Sequence, residues 1–238
     1  MLAERDIELV RANNPGPLTL SGTNTWLVGR DPCWVVDPGP DLDDHLDAIL
    51  AAAEPRGGVG GIVITHDHGD QGALAAALSE RAGGVEVAAA RHASATRKIG
   101  GGDQAGPLKA IAVPGHAPDH LCFAAGDVCF TGDAVLGEGS VFIWPDPGAL
   151  SGYLDGLTRL RVQGFVLLAC GHGELVDDPE AKLTSYIDHR LERERGLIAA
   201  LDAGARTVDE LLDRVWADAP EALRPAAALT LAAHLDKL

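Results

Sequence analysis

Ile62-Val63-Ile64-Thr65-His66-Asp67-His68-Gly69-Asp70-Gln71 is the stretch on which the rest of the chain turns. The apolar run at its start reads as a strand. In an extended chain alternate residues share a face, so His66 and His68 point the same way. Asp70 lies two residues further on, at the turn into an Ala/Leu-rich helix predicted over 70–82, where it reads as the N-cap. Two imidazoles and a carboxylate leaving the end of a strand are the beginning of a Zn²⁺ or two-metal site. A solvated loop after an apolar strand carries the same residue types, so this stretch alone leaves both readings open.

Three other places resolve that choice. His116 follows the run Ala110-Ile111-Ala112-Val113-Pro114-Gly115, Asp133 follows Val128-Cys129-Phe130-Thr131-Gly132, and His172 follows Val166-Leu167-Leu168-Ala169-Cys170-Gly171. Each metal-type residue comes directly after an apolar strand pattern and a glycine that lets the backbone turn. Residues at the same ends of neighbouring strands meet in one crevice. Strands are predicted at 25–28, 33–36, 61–65, 85–89, 108–113, 121–124, 128–131 and 165–169, with a hairpin turning at Gly126-Asp127. Helical periodicity marks 41–53, 70–82 and 147–160. Hairpins mixed with crossover helices predict an α+β protein whose sheets are covered by helices. After Gly173 the pattern is wholly helical, at 179–203, 208–215 and 223–235, and we divide the chain into a domain at 1–203 and a helical extension at 204–238.

The series His66, His68, Asp70, His116, Asp133 and His172 resembles, in order and spacing, the metallo-β-lactamase fold superfamily. Its signature is HxHxDH followed by a His, a bridging Asp and a final His. The segments Gly22-Thr23-Asn24-Thr25-Trp26-Leu27-Val28 and Val36-Asp37-Pro38-Gly39 match as well. The resemblance implies a four-layer αββα sandwich with metals at one edge and a C-terminal helical extension. Pro114–His120, Phe130–Gly139 and Tyr186–Glu194 are similar to the endoribonuclease-like β-lactamase-like-2 subgroup. Glyoxalase II and polyketide-associated thioesterases share the core motifs. The tail at 208–238 resembles the helices of that subgroup's winged helix, without strands of a wing after them.

By this resemblance His66, His68 and His116 hold a first zinc ion, and Asp70, His172 and the bridging Asp133 hold a second. The chain departs from the family at Gln71, which stands where the signature has its last His. A neutral amide oxygen is a poor substitute for imidazole on zinc, though acceptable to harder cations. The expectation is therefore one or two zinc ions, with a second site that is weak or prefers Mn²⁺ or Mg²⁺. A metal lowers the pKa of its water to about 7, and Asp70 is the expected catalytic base that orients the resulting hydroxide. Asp37 and His120 either hold ligands in orientation or serve only their own loops.

Composition narrows the partners. With 19 Lys and Arg against 35 Asp and Glu, the formal charge is −16. A field of that sign repels polyphosphates and anionic lipid surfaces, which argues against nucleic-acid and membrane partners. The start of the chain lacks a basic segment followed by an apolar one, and a cytoplasmic location is expected. Cys33, Cys122, Cys129 and Cys170 lie in or beside apolar runs and are expected to be reduced and buried. The expected activity is a metal-dependent hydrolase in which metal-bound hydroxide attacks an ester, thioester or related acyl bond of a small molecule. Two alternatives stay open: a single-stranded endoribonuclease, and a degenerate protein that binds metal or ligand without turnover.

Overall fold

The computed structural model describes residues 2–238. Short strands, most of them apolar, build two sheets. The first contains β1 (Ile7–Arg11), β2 (Asn24–Val28), β3 (Cys33–Val36), β4 (Val59–Val63), β5 (Glu86–Ala89) and β6 (Arg97–Lys98), in that spatial order. β1 to β3 run antiparallel and β3 to β6 parallel. Helix α1 (Asp43–Ala53) crosses from β3 to β4, and α2 (Gly69–Gly72) with α3 (Ala75–Arg81) crosses from β4 to β5. The second sheet has the order β11 (Leu167–Cys170), β10 (Val128–Gly132), β9 (Leu121–Ala125), β8 (Leu108–Ala112) and β7 (Gln104–Ala105). It is antiparallel except for β10 and β11, which are parallel and joined through α4 (Ala149–Val162).

Period-two alternation divides the side chains among three apolar layers. Trp26, Val28, Val36 and Val63 of the first sheet meet Leu108, Phe123, Phe130 and Leu167 of the second between the sheets. Their neighbours Leu27, Val35 and Ile62 face the other way, onto Leu46 and Ile49 of α1 and Leu78 of α3. Cys122, Cys129 and Leu168 turn outward onto Leu150, Tyr153 and Leu157 of α4 and onto Leu183 and Tyr186 of α5 (Pro179–Asp202). This is the αββα sandwich, as the resemblance implies.

Some details differ from the sequence reading, the two-residue strands β6 and β7 among them, which lie outside the predicted set. β1 is an additional strand: Ile7-Glu8-Leu9-Val10-Arg11 is an edge strand with charged residues, too polar to register as an apolar run. The helix predicted over 70–82 is two helices, because the Leu74 amide donates to the Gly39 carbonyl at 3.2 Å, outside the helix. Asp70 accordingly sits inside the first turn of α2 and is not its N-cap, a position held by His68. The strand predicted at 165–169 falls at Leu167–Cys170, with Val166 half-exposed before it.

The C-terminal helices α6 (Val208–Val215) and α7 (Arg224–Lys237) pack on α5 through Leu197, Leu211, Leu212, Trp216 and Leu231, a cluster that draws on both sides of residue 203. A capping box opens α6: Thr207 Oγ1 accepts from the Glu210 amide and Glu210 Oε2 accepts from the Thr207 amide, satisfying two otherwise orphaned donors. α7 is tied to the sandwich as well, since Thr230 Oγ1 accepts from the Ile143 amide at 3.0 Å and Ala233 enters the cluster under α4. Among the described residues no helix is long and apolar enough to cross a membrane.

One aromatic ring pins the two sheets at their margin. Trp34 of β3 packs against the inter-sheet cluster and lies over two glycines. A Cβ on Gly61 would come within 2.5 Å of the indole ring, and one on Gly106 within 2.1 Å. Gly61→Ala should therefore push the indole off its seat and destabilise the fold by about 1–3 kcal/mol, the usual cost of overpacking. Urea unfolding followed by tryptophan fluorescence measures it; an unchanged midpoint would show that Trp34 moves freely.

Candidate metal centre

Both sheets present their strand ends at one edge, and loops from both meet there. β4 runs through Thr65, His66 and His68 into α2, which carries Asp70 and Gln71. His116 and His120 lie between β8 and β9, Asp133 follows β10, and His172 follows β11. The edge is laced by backbone bonds: the Leu121 amide donates to the Thr65 carbonyl at 2.8 Å and the Asn24 amide to the Gly171 carbonyl at 2.8 Å. The Asn24 side chain adds bonds to the Cys170 and Gly173 carbonyls, at 3.0 and 2.8 Å. Gly132 ends β10 with φ of 47°, and a Cβ there would stand 2.5 Å from Thr65 Oγ1. Only glycine allows both the left-handed turn and this approach.

Four side chains converge on one point. His66 Nε2 is 2.9 Å and His116 Nε2 3.3 Å from His68 Nδ1. Asp133 Oδ2 lies 3.6 Å from His116 Nε2 and 3.9 Å from His66 Nε2. One ligand atom from each of these four residues falls within 4.8 Å of all the others. The far sides of two of the rings are held. His66 Nδ1 donates to Thr65 Oγ1 at 3.0 Å, and that hydroxyl donates to Asp37 Oδ2 at 2.9 Å. Asp37 Oδ1 also accepts from the Thr65 amide at 2.7 Å. His116 Nδ1 donates to the Phe142 carbonyl at 3.2 Å. These bonds fix the tautomers that leave both Nε2 lone pairs facing inward. Burial holds His66 well below the usual histidine range and lowers His116 too, so both rings are neutral, the form a metal requires. Three imidazoles and a carboxylate fit a divalent metal of the zinc type.

A second group adjoins the first through Asp133. His172 Nε2 lies 3.3 Å from Asp70 Oδ2 and 3.5 Å from Asp133 Oδ1, and its Nδ1 faces the Gly22 carbonyl at 3.3 Å. Burial lowers His172, but Asp133 and Asp70 outweigh it and raise the imidazole to about 10. Burial pushes Asp133 up, and the hydrogen bond to His172 with the charge of His172 overcomes it, holding the carboxyl below its usual range. Asp37 is pushed up to about 7 by burial, offset in part by its bonds from Thr65. The structure thus brings together all six residues expected at the site. Asp70 keeps a third of its side chain exposed, against about a tenth for Asp133.

Of the two supporting candidates, Asp37 orients His66 through Thr65. His120 accepts from the Asp133 amide at 3.1 Å with Nε2, stacks on His66 at 4.8 Å, and is held to about 3 by burial. Sequence reasoning missed the roles of Thr65 and Asn24, both polar residues next to apolar runs, where burial was the available signal. His45 is a packing residue, buried against Thr25 Oγ1 at 2.9 Å. The four cysteines are free and buried, and burial raises Cys170 to about 12, so it is no nucleophile. His68, Asp70, His116 and Asp133 open onto a cleft of about 790 Å³, lined also by Leu18, Leu20, Leu136, Val141 and Phe142 and by Trp216 and Ala227 of the C-terminal region.

Comparison with known proteins agrees with this geometry. Residues 18–107 match the model of the metallo-beta-lactamase superfamily, and residues 207–238 match the beta-lactamase associated winged helix domain. The chain is 32% identical over 251 residues to the beta-lactamase-like protein 2 homolog of Caenorhabditis elegans, covering 96% of this chain and 82% of that protein. It is 33% identical over 233 residues to an atrochrysone carboxyl ACP thioesterase of Aspergillus chevalieri, covering 89% and 73%. A metallo-beta-lactamase family protein from Thermus thermophilus shares the fold with a TM-score of 0.78 at 22% identity, over 98% of this chain and 93% of that one. The chain belongs to the metallo-beta-lactamase superfamily.

The His120 contacts generate a prediction. His120→Ala removes the acceptor of the Asp133 amide and the stacking partner of His66, and should weaken metal binding about 10–100-fold, the usual effect of removing a group that orients a ligand. Competition against a chromophoric chelator measures the affinity, with circular dichroism to confirm the fold. Unaltered affinity would show that Asp133 keeps its place without His120.

Proposed function

We propose that this chain is a zinc-dependent hydrolase of an ester, thioester or related acyl bond in a small molecule with a sizeable apolar part. The observation that carries the reading is the clustering of His66, His68, His116 and Asp133, the last three of which line a cleft whose walls are mostly hydrocarbon. The thioesterase among the relatives supports the same bond class.

His66, His68, His116 and Asp133 would hold the ion, which when bound supplies a Lewis acid and a water acidified to a pKa of about 7. The remaining work falls to the chain. Thr65 and Asp37 keep His66 turned to the centre, and the Phe142 carbonyl does so for His116. Asp70 lines the cleft and would accept a proton at its carboxylate as general base. Leu20, Leu136, Val141 and Phe142 bind the apolar part of the substrate and exclude bulk water, which strengthens every charge interaction at the floor.

RNA fits this cleft poorly. Its two arginines are already engaged: Arg190 donates to Ser140 Oγ and the Val141 carbonyl, and Arg193 to both oxygens of Asp218. Neither is free to neutralise phosphate, and the chain as a whole carries −16. The helices matched to a winged helix turn Trp216 and Ala227 toward the cleft, where they serve as wall.

The test is a screen of zinc-loaded protein against alkyl and aryl thioesters, esters, lactams and an unstructured RNA oligonucleotide. Thioesters or esters should turn over, and His116→Ala should lose both turnover and tightly bound zinc while its circular dichroism stays that of the parent. Cleavage of RNA with no acyl substrate turned over, or full activity without bound metal, would overturn the assignment.

A further inference from the structure

Gln71 is the one position at which the chain leaves the ligand pattern, and the structure shows where its amide goes. The side chain is fully buried. Its Nε2 stands 3.1 Å from Asp133 Oδ1 and 3.0 Å from His172 Nε2, and those two atoms are 3.5 Å apart. The nitrogen therefore fills the gap between two of the three groups that would share a second ion. The orientation of the amide follows from Asp133, because a carboxylate oxygen only accepts and so must face the NH₂. The carbonyl Oε1, by contrast, is buried and has no hydrogen-bond partner among the described residues. Leaving an acceptor unpaired is unfavourable, so the contacts of Nε2 hold the amide in place. Gly171 backs the same spot: a Cβ there would lie 2.7 Å from Asp133 Oδ1 and 3.0 Å from Gln71 Nε2, so the backbone is packed against this pair.

We propose that the chain works with a single ion, at His66, His68, His116 and Asp133, and that the Gln71 amide takes the place of a second cation between Asp133 and His172. The proposal rests on the reading of the first four residues as a metal site. A second ion needs Asp133 Oδ1 and a deprotonated His172 Nε2 as ligands, and the amide nitrogen occupies the position both atoms face. It supplies part of what the ion would: partial positive charge on the shared carboxylate. Asp70, the third member of the group, then has no ion to ligate. It faces His172 at 3.3 Å, a third exposed and on the cleft, where a carboxylate serves a proton.

The experiment is native mass spectrometry and calorimetric titration of the metal-free full chain with Zn²⁺, and separately with Mn²⁺, using the parent, Gln71→His, Gln71→Glu and His116→Ala. The parent should take one equivalent of either metal, with no second binding step. Gln71→His restores an imidazole and should take two equivalents of Zn²⁺. Gln71→Glu keeps the volume but replaces the donor with a carboxylate, and should also recruit a second ion, of Zn²⁺ or Mn²⁺; it serves if the histidine variant does not fold. Two comparably tight equivalents in the parent would mean that Oε1 ligates or that the amide yields, and the proposal fails while the metal-site reading stands. One equivalent in both Gln71 variants would show that the amide is not what excludes the second ion, and the proposal fails in the same way. No tight binding by the parent, or parent-like binding by His116→Ala, would instead overturn the metal-site reading itself.

Discussion

A single buried carboxylate links the two halves of the site. Asp133 sits at the end of β10, with Oδ2 facing His66 and His116 and Oδ1 facing Gln71 and His172. Burying an unpaired carboxylate costs several kcal/mol, and this one is tolerated because residues from both sheets surround it. His66 and Gln71 arrive from the first sheet, His116 and His172 from the second. The edge of the sandwich is therefore the place where the two sheets must meet in register, and the backbone bonds from Leu121 to Thr65 and from Asn24 to Gly171 maintain that meeting.

Most of the polar groups around this carboxylate are buried with it. His66 and His116 are neutral, because desolvation penalises their charged form. Their outer nitrogens end on a hydroxyl or a backbone carbonyl, and in the case of His66 the hydroxyl is backed by a second buried carboxylate, Asp37. Such a chain costs little because each donor finds an acceptor, and it leaves the rings no freedom to turn. Gln71 Oε1 and His120 Nδ1 lack such partners among the described residues, although the Gln71 nitrogen is engaged.

The C-terminal helices have a structural consequence of their own. They share one apolar cluster with the end of α5, and α7 reaches the sandwich through Thr230 and Ala233. Trp216 packs in that cluster with Arg193 over its ring. The region that completes the cleft is thus held by the same packing that anchors the long helix, so the depth of the cleft depends on the appendage staying docked.

Much of this was legible in the amino-acid order. Strands are short and apolar, glycines mark the turns, and each metal-type residue follows a strand; the His66–Asp70 segment and the positions of His116, Asp133 and His172 needed no coordinates, because period-two alternation and strand-end placement are local properties. The four layers were implied by the resemblance to the superfamily, and the structure shows them in Phe123 and Phe130 facing one way and Cys122 and Cys129 the other. Edge strand β1 and the break in the helix after Asp70 were not legible, since the first is stabilised only by pairing with β2 and the second by a bond to Gly39, far back in the chain. Thr65 and Asn24 were hidden for the same reason: their roles depend on partners distant in the chain. By itself the sequence determined which residues stand at the strand ends and which faces are apolar. Only the tertiary structure decided that the Gln71 amide lies between Asp133 and His172 and that the C-terminal helices wall the cleft, because both are contacts between segments whose separation along the chain carries no local pattern.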